Sequence, residues 1–463
     1  MRFFAVIISI IPVIYLIYRL IRREDLLHPL TFFTAFYVLR IVIPIVMYSN
    51  EELSLGILQG NSNLYLRTSI LNNDVFVEYA VLQSLCFFIT IFGITSSLGS
   101  RRSIRIKISN HKMSFTQKGN DINNYKHLGF ALLIIGFISF AIMMRSIGGL
   151  TYFLANLQLR TYIIGNLDLL YWLVSLLGNA PILLAYYYFK KYPDNKAKQA
   201  MVIILCVLAG LMSGLGGRSS LVSLLIQLII IYHYTVRNIK FEKLLSPRYI
   251  LIAVGLIAFI VVMPALRSPG EWDSFISTPG AYLREHFNGV FQLITRESYV
   301  PHYTAVIQYF KTHSFWWGAS FKGLLTGFIP SSLYPGKPPV DDGMYLYSIC
   351  LGRGDIFPTM PTSSLNLSSY PLETFGSMYA NFGVVGIVIG FFILGRIIGR
   401  SYIHLKSTDD NRLFNIIIYT TVVTTFQLST LRIEQFIISY VKWMIIFWII
   451  SSFHLRSHEE RAE

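Results

Sequence analysis

The sequence predicts an all-α polytopic membrane protein of about eleven transmembrane helices, in a range of about 10–12, with one large outer-face loop between the eighth and ninth. Three observations predict it. Of 463 residues, 54% are hydrophobic and only 14% are charged, against about 25% charged in an average soluble protein. The apolar residues fall into runs near 20 residues, the length a helix needs to cross a hydrocarbon core of about 30 Å. The 39 Lys+Arg against 24 Asp+Glu leave a net charge of +15, and most of these cations lie between the runs. One soluble domain is excluded, because too little polar surface exists to cover it. Disorder is excluded by the 15% aromatic content. Nucleic acid is not the expected partner, since the cations are spaced by membrane-length segments. The three cysteines have neither disulfide-framework nor metal spacing.

The runs are 3–20, 30–48, 76–97, 128–147, 168–188, 200–215, 219–235, 249–265, 382–403, 413–430 and 436–453. The first is long for a signal peptide and leads into Arg22-Arg23 rather than a small-residue cleavage site. The segments after odd-numbered runs carry the cations: Arg19, Arg22 and Arg23; Arg101, Arg102, Arg105 and Lys107; Lys190, Lys191, Lys196 and Lys198; Arg237, Lys240 and Lys243; Arg400, Lys406 and Arg412; and Arg456 and Arg461 in the tail. Cytoplasmic loops retain Lys and Arg. The N-terminus is therefore expected outside and the C-terminus inside. The domains expected are residues 1–265 with helices one to eight, the outer loop 266–381, and 382–463 with the last three helices and a short tail. That loop is rich in aromatic residues, Pro, Gly and Ser, with amphipathic stretches at Tyr282–Phe291 and Tyr303–Phe310. A loop this long is usually functional.

Arginines on the outer face run against the topology rule and call for an explanation. They are Arg160, Arg218, Arg267, Arg284, Arg296, Arg353 and Arg432. Guanidinium pairs bidentately with phosphate oxygens. Arg218 follows Gly214-Leu215-Gly216-Gly217 and opens a helix whose positive dipole end faces outward, which suits an anion. The bland alternative is snorkelling to headgroups or pairing with carboxylates. Glu373 and His286 are candidates for removing a proton from an attacking hydroxyl, and His302 and His313 lie nearby in sequence. Asp341-Asp342 reads more readily as a solvated turn. No metal site is expected, because one such pair is too few ligands. Arg40 lies inside the second run and calls for a partner, with Glu78 as the candidate. No matched pair of broken helices suggests a secondary transporter.

Several short stretches resemble the O-antigen polymerases of bacterial surface polysaccharide synthesis, the Wzy type. They are Gly148-Gly149 with Asn156 and Arg160, Gly216-Gly217-Arg218, residues 328–338 (FIPSSLYPGKP), and residues 379–386 (YANFGVVG). The late outer loop matches in layout. The pattern's IPR arginine stands here as Ser331. Its acidic residue before NFG stands as Ser377, with Glu373 one turn earlier. The resemblance implies a GT-C-like fold, no cofactor, and undecaprenyl-diphosphate-linked glycans as donor and acceptor. It places the chain in the bacterial cytoplasmic membrane among membrane lipids, and leaves open a chain-length regulator as partner. Arg160, Arg218 and Arg267, with Arg353 and Arg432 in support, would hold the donor diphosphate, and Glu373 or His286 would act on the acceptor. The loop aromatics Trp272, Tyr282, Trp316, Trp317, Tyr334, Tyr345 and Tyr347 would offer stacking faces for sugars, or else interfacial anchors. An O-antigen ligase and a lipid-glycan flippase are the alternatives.

Overall fold

The computed structural model describes residues 2–22, 25–50, 63–99, 122–156, 163–164, 167–213, 218–239, 247, 255, 276–281, 299–327, 329, 333–334, 336–366, 368–370, 373–407 and 412–459. Every regular element among them is helical. In chain order these are α1 (Arg2–Ile21), α2 (Pro29–Tyr37), a π-turn (Val38–Val42), α3 (Ile43–Ser49), α4 (Leu64–Leu71), α5 (Asn73–Gly99) and α6 (Ile122–Ser146). There follow α7 (Leu150–Ala155), α8 (Asp168–Val174), α9 (Leu176–Lys191), α10 (Lys196–Ser213), α11 (Arg218–Thr235) and α12 (Val300–Phe310). The last are α13 (Lys322–Thr326), α14 (Gly343–Cys350), α15 (Glu373–Ser407), α16 (Arg412–Thr424) and α17 (Thr430–Glu459).

Among the described residues, eight helical stretches are long and apolar enough to cross a membrane: Arg2–Ile21, Pro29–Ser49, Asn73–Gly99, Ile122–Ser146, Leu169–Lys191, Lys196–Ser213, Glu373–Lys406 and Thr430–Ser452. Two shorter apolar helices, Leu221–Thr235 and Arg412–Thr424, match two further runs. The run 249–265 lies outside the described residues apart from Gly255. The chain is thus a polytopic membrane protein whose regular elements, among the described residues, are all helical. Helix ends differ from the hydropathy reading by up to several residues, and most at the ninth run. The helix expected from residue 382 is preceded, across a kink at Gly383, by a further helical stretch from Glu373, whose residues are polar on one face.

The chain forms two compact units. The first comprises Met1–Asn110, Phe291–Ser407 and Thr421–Lys442; the second comprises His111–Val290, Thr408–Thr420 and Trp443–Glu463. In the first, α5 packs most extensively on α15. Small residues bring the two backbones together. A Cβ on Gly93 would stand 2.6 Å from the Phe392 carbonyl oxygen, and one on Gly399 would stand 2.7 Å from Ser97 Cβ. Such close crossings are how helices gain packing where lipid supplies no hydrophobic drive between them. Phe88, Phe92, Val385 and Ile389 on the outer flanks of the same helices are exposed, as lipid-facing positions require. Arg2 ties three elements of this unit together. It donates to Tyr48 O and Ile70 O, both at 2.9 Å, and to Asn73 Oδ1 at 2.6 Å, putting a cation at the carbonyl ends of α3 and α4.

In the second unit α9 is the centre, against α6, α10 and α11. A Cβ on Gly129 or Gly136 of α6 would meet Leu184 or Leu177 at 2.8 and 2.7 Å. Arg412 Nη2 donates to Tyr234 O at 2.7 Å, near the C-terminus of α11.

Candidate functional site

The site starts from a corner. Gly383 has φ 60° and ψ −142°, a backbone region that L residues with a Cβ avoid. The chain turns there so tightly that the Met378 carbonyl backs onto Gly386 and the Met378 side chain onto Gly390. Residues 373–382 therefore form a separate leg. Its last carbonyls have no partners within the helix. They are met by loop backbone instead, with Trp316 N–H donating to Ala380 O at 3.0 Å and Trp317 N–H to Asn381 O at 2.8 Å.

The polar face of this leg carries Glu373, Thr374, Ser377 and Asn381, and each is held. Asn381 is fully buried and donates to Ser320 Oγ and to Ser377 O, each at 2.8 Å. Ser377 Oγ donates to the Asp342 carboxylate. Thr374 Oγ1 donates to Gln427 Oε1 at 2.6 Å and accepts from Leu428 N–H at 2.9 Å. Asp342 is only 2% exposed, which corrects the reading of Asp341-Asp342 as a solvated turn. Its own N–H donates to Thr430 Oγ1 at 3.0 Å. Burial pushes its carboxyl up to about 6, despite the hydrogen bonds from Ser377 and Thr430.

Glu373 opens the leg at φ 54°, a strained conformation for a non-glycine residue. Its Oε1 lies 2.8 Å from Arg40 Nη1. Arg40 stands in the π-turn of Val38–Val42, a local irregularity frequent at functional sites. This corrects the expected pairing of Arg40 with Glu78. Glu78 instead bonds Lys311 Nζ at 2.9 Å. Tyr303 lies beside the Arg40–Glu373 pair. Burial first, and then the Glu373 charge, hold its phenol well above the usual value, so it stays a hydrogen-bond donor at neutral pH.

The pair lines a cavity of about 90 Å³, room for several water molecules. Its polar lining is Arg40, Glu373, Thr374, Gln83, Gln427, Thr424 and the phenols of Tyr37 and Tyr303; its apolar lining includes Phe33, Phe36, Phe375, Phe391, Phe426, Leu394 and Ile398. The ion pair lies at one end, and the lining becomes apolar toward the other. Tyr37 Oη donates to Gln83 O at 2.5 Å, while Phe33 stacks on Phe87 further along α5. Phe392 meets Phe92, and Gly395 meets the Thr90 carbonyl. Arg40 and Glu373 therefore lie toward the Asn73 end of α5, and the apolar floor lies toward its Gly99 end.

Of the site residues expected from sequence, Glu373 is in this cavity. Arg353 and Arg432 are not in its lining; they donate to Asn366 Oδ1 at 2.8 Å and to Gln435 Oε1 at 2.9 Å. Arg160, Arg267, His286, Arg284 and Arg296 lie outside the described residues, and Arg218 is described only as the first residue of α11. His302 is buried against Tyr299 and Tyr370, and burial lowers it to about 4, so it is neutral. Among the loop aromatics, Trp316 and Tyr345 are buried in the packing, whereas Trp317 is 74% exposed. Sequence reasoning missed Thr374, Gln427 and Tyr303. The recurrence of polar residues at 373, 374, 377 and 381 ahead of an apolar run was the available signal for the leg. Neither a family model, nor a curated protein, nor a solved structure matches the chain.

Proposed function

We propose that the chain is a metal-independent GT-C-like glycosyltransferase that polymerises undecaprenyl-diphosphate-linked oligosaccharide repeat units. It would act at the outer face of the bacterial cytoplasmic membrane, making O-antigen or a related surface polysaccharide and releasing undecaprenyl diphosphate. The observation that carries this reading is the graded cavity. A cation, a carboxylate and two amide side chains at one end and aromatic and aliphatic side chains at the other match the polarity of a lipid-linked diphosphate. The sequence resemblance supports it independently.

In this reaction an acceptor hydroxyl attacks the anomeric carbon of the donor sugar. Its O–H bond breaks and the proton passes to the Glu373 carboxylate. The new C–O bond forms as the anomeric C–O bond to the diphosphate breaks, and the lipid diphosphate leaves with the electron pair. Arg40 would stabilise that leaving charge. Purified protein given one defined lipid-linked repeat unit tests the reading. The expected product is a ladder of polymer with released undecaprenyl diphosphate, and Glu373→Gln should lose about 10²-fold or more in rate. A full ladder from Glu373→Gln removes Glu373 as the base. Transfer to lipid A core alone points to a ligase, and scrambling of glycan across liposomes without polymer overturns the enzyme reading.

A further inference from the structure

We infer that the Arg40–Glu373 ion pair is a latch opened by the donor's diphosphate, so that donor binding itself frees the base. The inference rests on the reading of the cavity as a lipid-diphosphate site. Glu373 Oε1, at 2.8 Å from the Arg40 guanidinium, is held by Arg40 rather than turned to a sugar hydroxyl. Arg40 in that pair is equally a weaker anion ligand, because part of its fork is taken. A diphosphate carries more charge than one carboxylate and offers several oxygens to the planar fork, so it replaces Glu373 on favourable terms.

The geometry permits the exchange. The Arg40 side chain keeps 42% of its surface accessible, against 18% for Glu373, so an anion reaches the cation first. The cavity is partly open, and a diphosphate entering it meets a guanidinium already engaged by Glu373, so full contact with the fork requires the pair to part. The leg behind Glu373 does not follow the side chain. Thr374 is fixed to Gln427 and Leu428, and Ser377 to Asp342. The backbone irregularities at both partners, the π-turn and the left-handed Glu373, mark the two ends of the movable contact.

The test is binding of farnesyl diphosphate to the full-length protein in detergent. Wild type is compared with Glu373→Gln, Arg40→Gln and the double variant. If the pair is closed about nine-tenths of the time, Glu373→Gln binds roughly tenfold tighter than wild type, since the competing state is gone. Arg40→Gln binds at least about tenfold weaker, and the gain from Glu373→Gln vanishes in the double variant. Arg40→Lys, which keeps the charge, controls for folding and recovers part of the binding. Wild-type binding with Glu373→Gln no tighter, or a gain that persists without Arg40, overturns the latch alone. Absence of binding in every form overturns both the latch and the lipid-diphosphate site.

Discussion

Asp342 is enclosed by the first leg of α15 and the start of α17, where Ser377 and Thr430 reach it. Its carboxyl is raised from 3.8 to about 6, with burial the largest cause. The folded state therefore holds the proton more tightly than the unfolded chain. The stabilisation this gives is fully present below about pH 4 and is lost as pH rises through about 6. Asparagine keeps one acceptor and carries no charge to bury. Asp342→Asn is thus expected to gain stability relative to wild type between pH 4 and pH 8, on the order of 2 kcal/mol. Melting curves at the two pH values check it; a difference between variant and wild type that does not change with pH refutes the burial argument. None of this was legible locally. Asp341-Asp342 after a proline-rich turn has the composition of a solvated loop, and only contacts with residues 35 and 88 positions away enclose it. Arg40 teaches the same lesson. Its need for a partner was plain from its apolar run, but Glu373 stands 333 positions later, and no local pattern distinguishes it from Glu78.

Helices were far more legible than their junctions, because a membrane span is written in consecutive residues while a corner is written in one. The runs 3–20, 76–97 and 200–215 became Arg2–Ile21, Asn73–Gly99 and Lys196–Ser213. The run 168–188 is interrupted at Ser175, where α8 gives way to α9. The leg of residues 373–382 was hidden because hydropathy counts its Glu, Thr, Ser and Asn as loop. Glycines show the same split between composition and context. Gly395 is pressed against the Thr90 carbonyl and Gly93 Cα of α5, whereas a Cβ on Gly99 would meet nothing within 4 Å. Gly395→Leu should cost about 1–3 kcal/mol by overpacking the α5–α15 crossing. Gly99→Ala should stay within about 0.5 kcal/mol of wild type. Thermal melts followed by size-exclusion chromatography in detergent compare them, and equal effects would refute the close crossing.

Orientation belongs to the whole molecule, since each cationic segment is ambiguous alone and only their alternation sets a direction. It also decides whether the proposed chemistry is possible. The polar end of the cavity lies toward the Asn73 end of α5, and α5 begins outside if the basic segments after odd-numbered runs are cytoplasmic. The protein offers a clean way to measure this. Cys86, Cys206 and Cys350 are free thiols and all are buried, so wild type should not react with a membrane-impermeant maleimide. Gly354, with open space around it, and the exposed Lys196 are sites for single added cysteines. In spheroplasts, Gly354→Cys should be labelled directly and Lys196→Cys only after permeabilisation. The reverse pattern would turn the Arg40–Glu373 end of the cavity toward the cytoplasm. A polymerase of lipid-linked glycans at the outer leaflet could not then work through that site, whatever its affinity for diphosphate.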